Sequence, residues 1–374
     1  MIQPGVDRPP AGLNAQQVFF PAAALFAAIA PWLLMFSMRD HSRAIADGQT
    51  HAQSMLFGYV GALIAGYLLG KQSHAYLYAM LALWLAGRVT EILWSHTIIV
   101  HICYAGFGLA LAIQVAPKFW TAKKWRNRVI GPVIALITCF PILHWLLSAA
   151  DRPPNLSQYS LVLLISLLMF FMGGRVITPA LARAFADSGK RLPQRVQPYI
   201  EGITMALLMT AGALLLLEVP GRWLAPLTAV ASLLILVRLY RWQPFLLSWR
   251  LADIWALSLG YLWLGLGLFA FSISLAGGLP FVASLHIITI GALGTLSSTI
   301  MLKLCSKYSA APDTVYYAVV VLLAFATLCR FLTDFIPLYR QVLLSFAGSL
   351  WSINFVIIVF VILLNRRGID HARL

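Results

Sequence analysis

The chain is built from repeated apolar segments that are about as long as a membrane-spanning helix. Of its 374 residues, 61% are hydrophobic and only 10% are charged, and the mean hydropathy is +0.84. A hydrocarbon slab of about 30 Å needs roughly 20 helical residues, and runs of this length follow one another along most of the sequence. One water-soluble core is therefore excluded, and most of the chain is expected in lipid.

These runs predict helices, because backbone amides must be paired in lipid and the runs lack the alternation of a barrel strand. The expected fold is all-α, a polytopic membrane helix bundle of about 12 transmembrane helices, which forms a single membrane domain over residues 1–374. The predicted spans are 17–38, 52–70, 74–93, 94–116, 128–149, 157–182, 199–219, 222–242, 252–272, 281–304, 315–336 and 340–365.

The Lys and Arg residues are divided unevenly between the loops, and this division predicts the orientation. Loops after even-numbered spans carry Lys71, Lys118, Lys123, Lys124, Arg126, Arg128, Arg183, Lys190, Arg191, Arg195, Arg238, Arg241, Arg250, Lys303 and Lys307. Loops after odd-numbered spans carry only Arg39, Arg43, Arg152, Arg222 and Arg340. Both termini of the multi-pass chain are therefore expected in the cytoplasm.

The net charge of +15 follows this loop pattern and does not indicate nucleic acid as a partner. Base-stacking aromatic residues are not interleaved with a basic stripe. The four cysteines are dispersed without CxxC spacing, so they predict neither a zinc ribbon nor a redox pair. The lipid bilayer is the partner that the sequence predicts.

Five of the eight histidines are predicted at one depth, near the outer ends of five different spans. They are His51, His96, His101, His144 and His286. Neutral imidazole binds copper, zinc or haem iron, and helix bundles build such sites from ligands on separate helices. The layer therefore predicts a metal or haem site, although hydrogen bonds between helices or to interfacial water would account for any single histidine.

Two pairs of opposite charges are predicted in the same outer layer. Arg88 and Glu91 stand at i, i+3 on the third span, and Arg330 and Asp334 stand at i, i+4 on the eleventh. Both spacings place the charges on one helix face. The charges of each pair could simply neutralise each other, or the arginines could bind haem propionates as bidentate partners.

Several short segments, taken in order, resemble the NnrS family of multi-span membrane proteins. They are HA at 51–52, MLFGYVG at 55–61, GYLL at 66–69, WLAGR at 84–88, RN at 126–127, GRV at 174–176, LGY at 259–261 and GALGT at 291–295. The family is known for haem and copper and is linked to the bacterial response to nitric oxide. The resemblance implies that His51, His144 and His286 are candidate metal ligands.

The sequence departs from the family pattern at likely ligand positions in three stretches of the chain. That pattern has a second histidine and a glutamate after the first histidine, where this chain has Gln53 and Ser54. The family pattern also has a histidine at the position of Ser258. It has a Gly-His-Thr-Gly-Arg run at the positions of residues 307–311, which here include Tyr308. Amide and hydroxyl groups are poor substitutes for imidazole at copper or haem iron, so a reduced cofactor complement is expected.

The resemblance implies a haem and/or copper protein that acts in response to nitric oxide or nitrosative stress, with nitric oxide as a possible gas ligand. One hypothesis is a divergent member that keeps one cofactor, with His96 or His101 as a replacement ligand. The other is a member that keeps the fold without metal, and we prefer the first. Whether the protein is an enzyme stays open, and no protein partner is indicated.

Two other classes of protein fit an apolar chain of this kind. A secondary transporter of a small solute would have the same number of spans and the same orientation. However, the sequence shows neither a repeat of its first half in its second half nor charges at the membrane midplane. A purely structural or assembly protein would need none of the histidines.

Overall fold

The computed structural model describes residues 12–40, 48–94, 97–151, 153–305 and 311–371. The expected fold class is confirmed: this is an all-α polytopic membrane helix bundle. The helices of the first half are α1 (Gln16–Asp40), α2 (Gly48–Gln53), α3 (Val60–Leu68), α4 (His74–Leu93), α5 (Ile98–Val115), α6 (Pro117–Trp120), α7 (Trp125–Ala149) and α8 (Pro154–Asp187). Those of the second half are α9 (Pro198–Leu216), α10 (Gly221–Trp242), α11 (Ala252–Leu275), α12 (Phe281–His286), α13 (Thr295–Cys305), α14 (Asp313–Leu332) and α15 (Arg340–His371).

Within the described ranges, eleven helices are long and apolar enough to cross a membrane. One further apolar segment runs from α2 to α3 and is interrupted by a π-helical stretch, π1 (Ser54–Tyr59). The helix from α12 to α13 is interrupted in the same way by π2 (Ile287–Gly294). The twelve predicted apolar runs thus each coincide with a helical segment. "Outer" and "inner" below refer to the orientation predicted from the Lys and Arg distribution.

The centre of the bundle is formed by α8, α11 and the two interrupted helices, which are the most enclosed by other helices. Small residues allow these helices to approach closely. At Gly267 of α11, a Cβ atom would lie 3.0 Å from the backbone nitrogen of Ile288, so glycine permits α11 to pack directly against π2. The peripheral helices expose large apolar side chains such as Phe36, Ile113 and Val356, as expected for surfaces that face lipid.

The inner ends of the helices are joined by short polar contacts. A two-residue antiparallel pairing of β1 (Leu13–Asn14) with β2 (Lys71–Gln72) connects the start of α1 to the loop after α3. Lys118 Nζ donates to the carbonyl oxygens of Leu68 and Leu69 at 3.1 and 2.8 Å, which completes the C-terminus of α3. These contacts fix the second segment, which carries His51 at its outer end.

Ion pairs also connect the inner ends of helices that are distant in sequence. Glu201 at the start of α9 pairs with Arg126 of α7 and, at 2.6 Å, with Arg238 of α10. Asp253 at the start of α11 pairs with Lys303 at the end of α13. The charge pattern assigns all three of these cations to the cytoplasmic side, and in the structure they join helices to one another.

Candidate functional site

Four of the five candidate histidines lie toward the outer ends of described helices, and they divide into two groups. His51 of α2 and His286 at the end of α12 lie close enough to each other to interact electrostatically, and both lie near Arg330 of α14. His101 of α5 and His144 of α7 form a second neighbouring pair. His96 lies outside the described residues, so its relation to either pair is not defined.

The imidazole of His286 is oriented by its own helix. Its Nδ1 lies 2.7 Å from the carbonyl oxygen of Val282, one turn earlier. A carbonyl can only accept, so Nδ1 carries the proton and Nε2 keeps its lone pair. Metal-binding histidines are commonly held in this way, by a hydrogen bond from one ring nitrogen that leaves the other nitrogen available to the metal.

His51 is less constrained than His286. Its side chain is only half-buried, and it forms no hydrogen bond with any residue that the structure describes. The interrupted helices that carry His51 and His286 also meet deeper in the bundle, where Tyr59 of π1 lies against Ser297 of α13. His51 and His286 therefore stand at the outer ends of two interrupted helices that contact each other directly.

Arg330 stands beside this histidine pair with its charge partly compensated. Its Nη1 donates to Thr333 Oγ1 at 2.5 Å and lies 3.6 Å from Asp334 Oδ2. The spacing of Arg330 and Asp334 thus gives the ion pair expected from the sequence. Nη1 makes both of these contacts, so the guanidinium retains other donors that a further anionic group could use.

His144 differs from His286 in that both of its ring nitrogens are engaged. Nε2 lies 2.6 Å from Gln53 Nε2, and Nδ1 lies 2.6 Å from Ser157 Oγ. An amide NH₂ group can only donate, so the Nε2 lone pair of His144 accepts that bond and its Nδ1–H is directed to the serine. In this arrangement His144 links α2, α7 and α8 and has no lone pair left for a metal.

Arg88 and Glu91 form a buried polar cluster with the backbone of π1. Their exposed fractions are 5% and 2%. Arg88 Nη1 donates to the carbonyl oxygen of Ser54 at 3.0 Å, the hydroxyl of Ser54 donates to Glu91 Oε2, and Nη1 lies 3.7 Å from that oxygen. The guanidinium lies over the ring of Tyr104, 4.2 Å from its centroid.

This cluster contains polar atoms that lack partners among the described residues, namely Arg88 Nε, Arg88 Nη2 and Glu91 Oε1. Nε and Nη2 form one edge of the guanidinium, the edge that binds a carboxylate with two parallel hydrogen bonds. Gly58 makes room for the guanidinium, because a Cβ atom there would lie 2.7 Å from Arg88 Cζ.

The substituted positions have separate locations. Gln53 and Ser54 contact His144 and Glu91, so both belong to the outer polar network. Ser258 lies in the second turn of α11, near the inner end and away from the histidines, and its hydroxyl has no partner among the described residues. Tyr308 lies outside the described residues. Sequence reasoning identified Gln53 and Ser54 only as lost ligands and missed their contacts.

Within the described part of the chain, no group of three or more His, Cys, Asp or Glu side chains is arranged to hold a metal ion. The arrangement instead offers two histidines on separate helices, His51 and His286, and two buried or partly buried arginines near π1 and α14. Two imidazoles are a sufficient protein donor set for the iron of a haem, whereas a tetrahedral metal site normally needs at least three ligands.

A comparison with protein families matches residues 14–366 to the family described as NnrS protein. The match covers nearly all of the sequence, including both interrupted helices and the histidines at their outer ends. No curated protein and no solved structure matches the chain.

Proposed function

The chain belongs to the NnrS family, and on this premise we propose that it is a haem and/or copper protein of the bacterial inner membrane that acts in response to nitric oxide or nitrosative stress. The proposal rests on the placement of His51 and His286 at the outer ends of the two interrupted helices, with Nδ1 of His286 held by the carbonyl of Val282.

The donor set fits haem better than a complete copper site. His51 and His286 would supply imidazole nitrogens from two helices, which is how haem iron is held in helical proteins. Copper with more than two protein ligands would need a further residue, and the described residues do not bring a third ligand to this pair. Of the two cofactors, haem is therefore the better match to the two histidine ligands among the described residues.

Two arginines are suited to the carboxylates of such a group. Arg330 lies near His51 and His286, and the Nε–Nη2 edge of Arg88 has no hydrogen-bond partner among the described residues. A planar guanidinium binds a carboxylate with two parallel hydrogen bonds. When bound, haem would supply an iron centre at which nitric oxide could be held, and the protein residues would orient it and exclude water.

His144 has a different role in this proposal. Because Gln53 and Ser157 occupy both of its ring nitrogens, it supports the packing of α2 against α7 and α8. It would become a ligand only if the Gln53 contact were broken. His101, its neighbour, is the replacement ligand that remains within the described residues.

The test is an optical spectrum of the full-length protein, oxidised and reduced, purified from cells supplied with haem and copper, together with metal analysis. We expect a haem spectrum that is lost or shifted in His51→Ala and His286→Ala. His74→Ala is the matched control, because His74 is exposed at the inner start of α4. A wild-type protein without haem or metal, or variants with unchanged spectra, would overturn the proposal.

Transport of a small solute is supported less well. Transporters built from repeats interrupt their helices at corresponding positions of the two halves. Here the interruptions lie in the second and tenth apolar segments, which are not corresponding positions in two halves of six. Uptake of a small solute into proteoliposomes that is the same for the wild-type protein and His286→Ala would favour transport over the proposed function.

A further inference from the structure

We infer that the bundle contains a dry internal site for small, uncharged apolar molecules, separate from the outer histidines. The site is a cavity of about 100 Å³ between α3, α8, α11 and the helix formed by π2 and α13. Its lining begins at Val60 and Leu293 and continues toward the inner ends of their helices. The inference does not depend on whether His51 and His286 hold a metal.

The walls of the cavity offer almost nothing to which water could bond. They are apolar side chains apart from Tyr67, Gly173 and Ser297. The hydroxyl of Ser297 is already engaged, since it donates to the carbonyl oxygen of Leu293 at 2.6 Å and lies 2.7 Å from the Tyr59 hydroxyl. A buried water typically needs two to four polar partners, and an apolar cavity without them stays empty of water.

The cavity is partly open, and its walls are formed by residues that the protein largely buries. None of its lining residues is exposed, and most are buried. The half-buried ones are Tyr67, Leu68, Met172, Val176 and Ile300. On α3 and α8 these are the lining residues closest to the inner ends, so an entering molecule would pass between helices on the inner side.

The size of the cavity determines what it can hold. An engineered apolar cavity of roughly 150 Å³ in another protein remains dry and binds benzene or xenon, so a volume of about 100 Å³ suits guests of that size or smaller. Haem is too large to fit. Met169, Met172 and Met301 contribute flexible, polarisable side chains to the wall, which favour contacts with polarisable apolar guests.

The experiment uses crystals of the full-length protein under xenon pressure, raised until xenon occupies at least one site on the protein. We expect an anomalous xenon peak inside the cavity. A peak elsewhere with none in the cavity would overturn the inference. So would ordered water in the cavity, or continuous tubular density from a lipid acyl chain.

A filling substitution makes the test specific. Ile300→Phe places a larger side chain at the entrance and should abolish the xenon peak in the cavity while peaks elsewhere remain. Leu304→Phe is the matched control, because Leu304 lies one turn further along α13 and does not line the cavity. If Ile300→Phe does not fold, Val176→Phe fills the same entrance from α8. A cavity peak that persists in the filled variant would contradict the inference.

Discussion

The hydroxyl of Tyr59 lies 2.7 Å from that of Ser297, although the two residues are 238 positions apart in the chain. Tyr59 is the last residue of π1, and Ser297 follows the end of π2 by three residues. The contact therefore joins the two interrupted helices directly below the segments where their hydrogen-bonding register changes. His51 and His286 lie at the outer ends of the same helices, so this contact fixes the spacing of the helices that carry them.

Removing this hydroxyl contact should weaken the association of the two helices. Tyr59→Phe is expected to lower the free energy of unfolding by about 1 kcal/mol, the net value of a typical buried hydrogen bond. Ser297→Ala should cost a similar amount. In the double variant the effects should be less than additive, as measured by thermal unfolding in detergent; additive losses would show that the two hydroxyls are not coupled.

Gly58 should be intolerant of a side chain. A Cβ atom at this position would lie 2.7 Å from Arg88 Cζ, and the guanidinium is held by Ser54 and by the ring of Tyr104. Gly58→Ala is expected to destabilise the protein by about 1–3 kcal/mol through overpacking.

The control for Gly58→Ala is Gly87→Ala on the neighbouring α4. There the new Cβ atom would lie 3.5 Å from Cys103 Cβ, an ordinary contact, and alanine favours a helix over glycine by about 0.5–1 kcal/mol. Unfolding midpoints in detergent should therefore fall for Gly58→Ala and hold or rise for Gly87→Ala. Equal midpoints for both variants would show that Arg88 moves away freely.

The number and type of membrane helices follow from the sequence, because the bilayer sets a minimum length and excludes unpaired backbone. The interruptions π1 and π2 do not follow from it, since their residues are as apolar as those of an uninterrupted span. The position of each histidine along its helix could be predicted from the sequence, and this prediction placed five histidines near the outer membrane face. Which helices are neighbours depends on packing, so the pairing of His51 with His286, and of His101 with His144, could not be derived.

Glu201 should be one of the most sensitive polar positions in the protein. It pairs with Arg126 and with Arg238, whose side chain is only 4% exposed. Glu201→Gln removes the only negative charge between two arginines, and the uncompensated buried cation is expected to cost about 3 kcal/mol of unfolding free energy.

Asp253→Asn is the comparison for Glu201→Gln. Asp253 pairs with Lys303 at the same inner face, but the two side chains are 30% and 29% exposed. Water screens such a pair, so its loss should cost no more than about 1 kcal/mol. Thermal unfolding of both variants in the same detergent tests the difference, and equal losses would contradict the role assigned to burial.

Gln53 stands where the family pattern has a histidine, and its amide lies 2.6 Å from Nε2 of His144. Gln53→His would bring a second imidazole to this nitrogen, with His101 nearby. Imidazole nitrogens are good ligands for zinc and copper, so this variant should bind a divalent ion that the wild-type protein does not retain after dialysis. Gln158→His, which adds a histidine at another buried outer position, is the control. Metal analysis that shows equal content in wild type, Gln53→His and Gln158→His would mean that Nε2 of His144 and the introduced imidazole do not form a metal site.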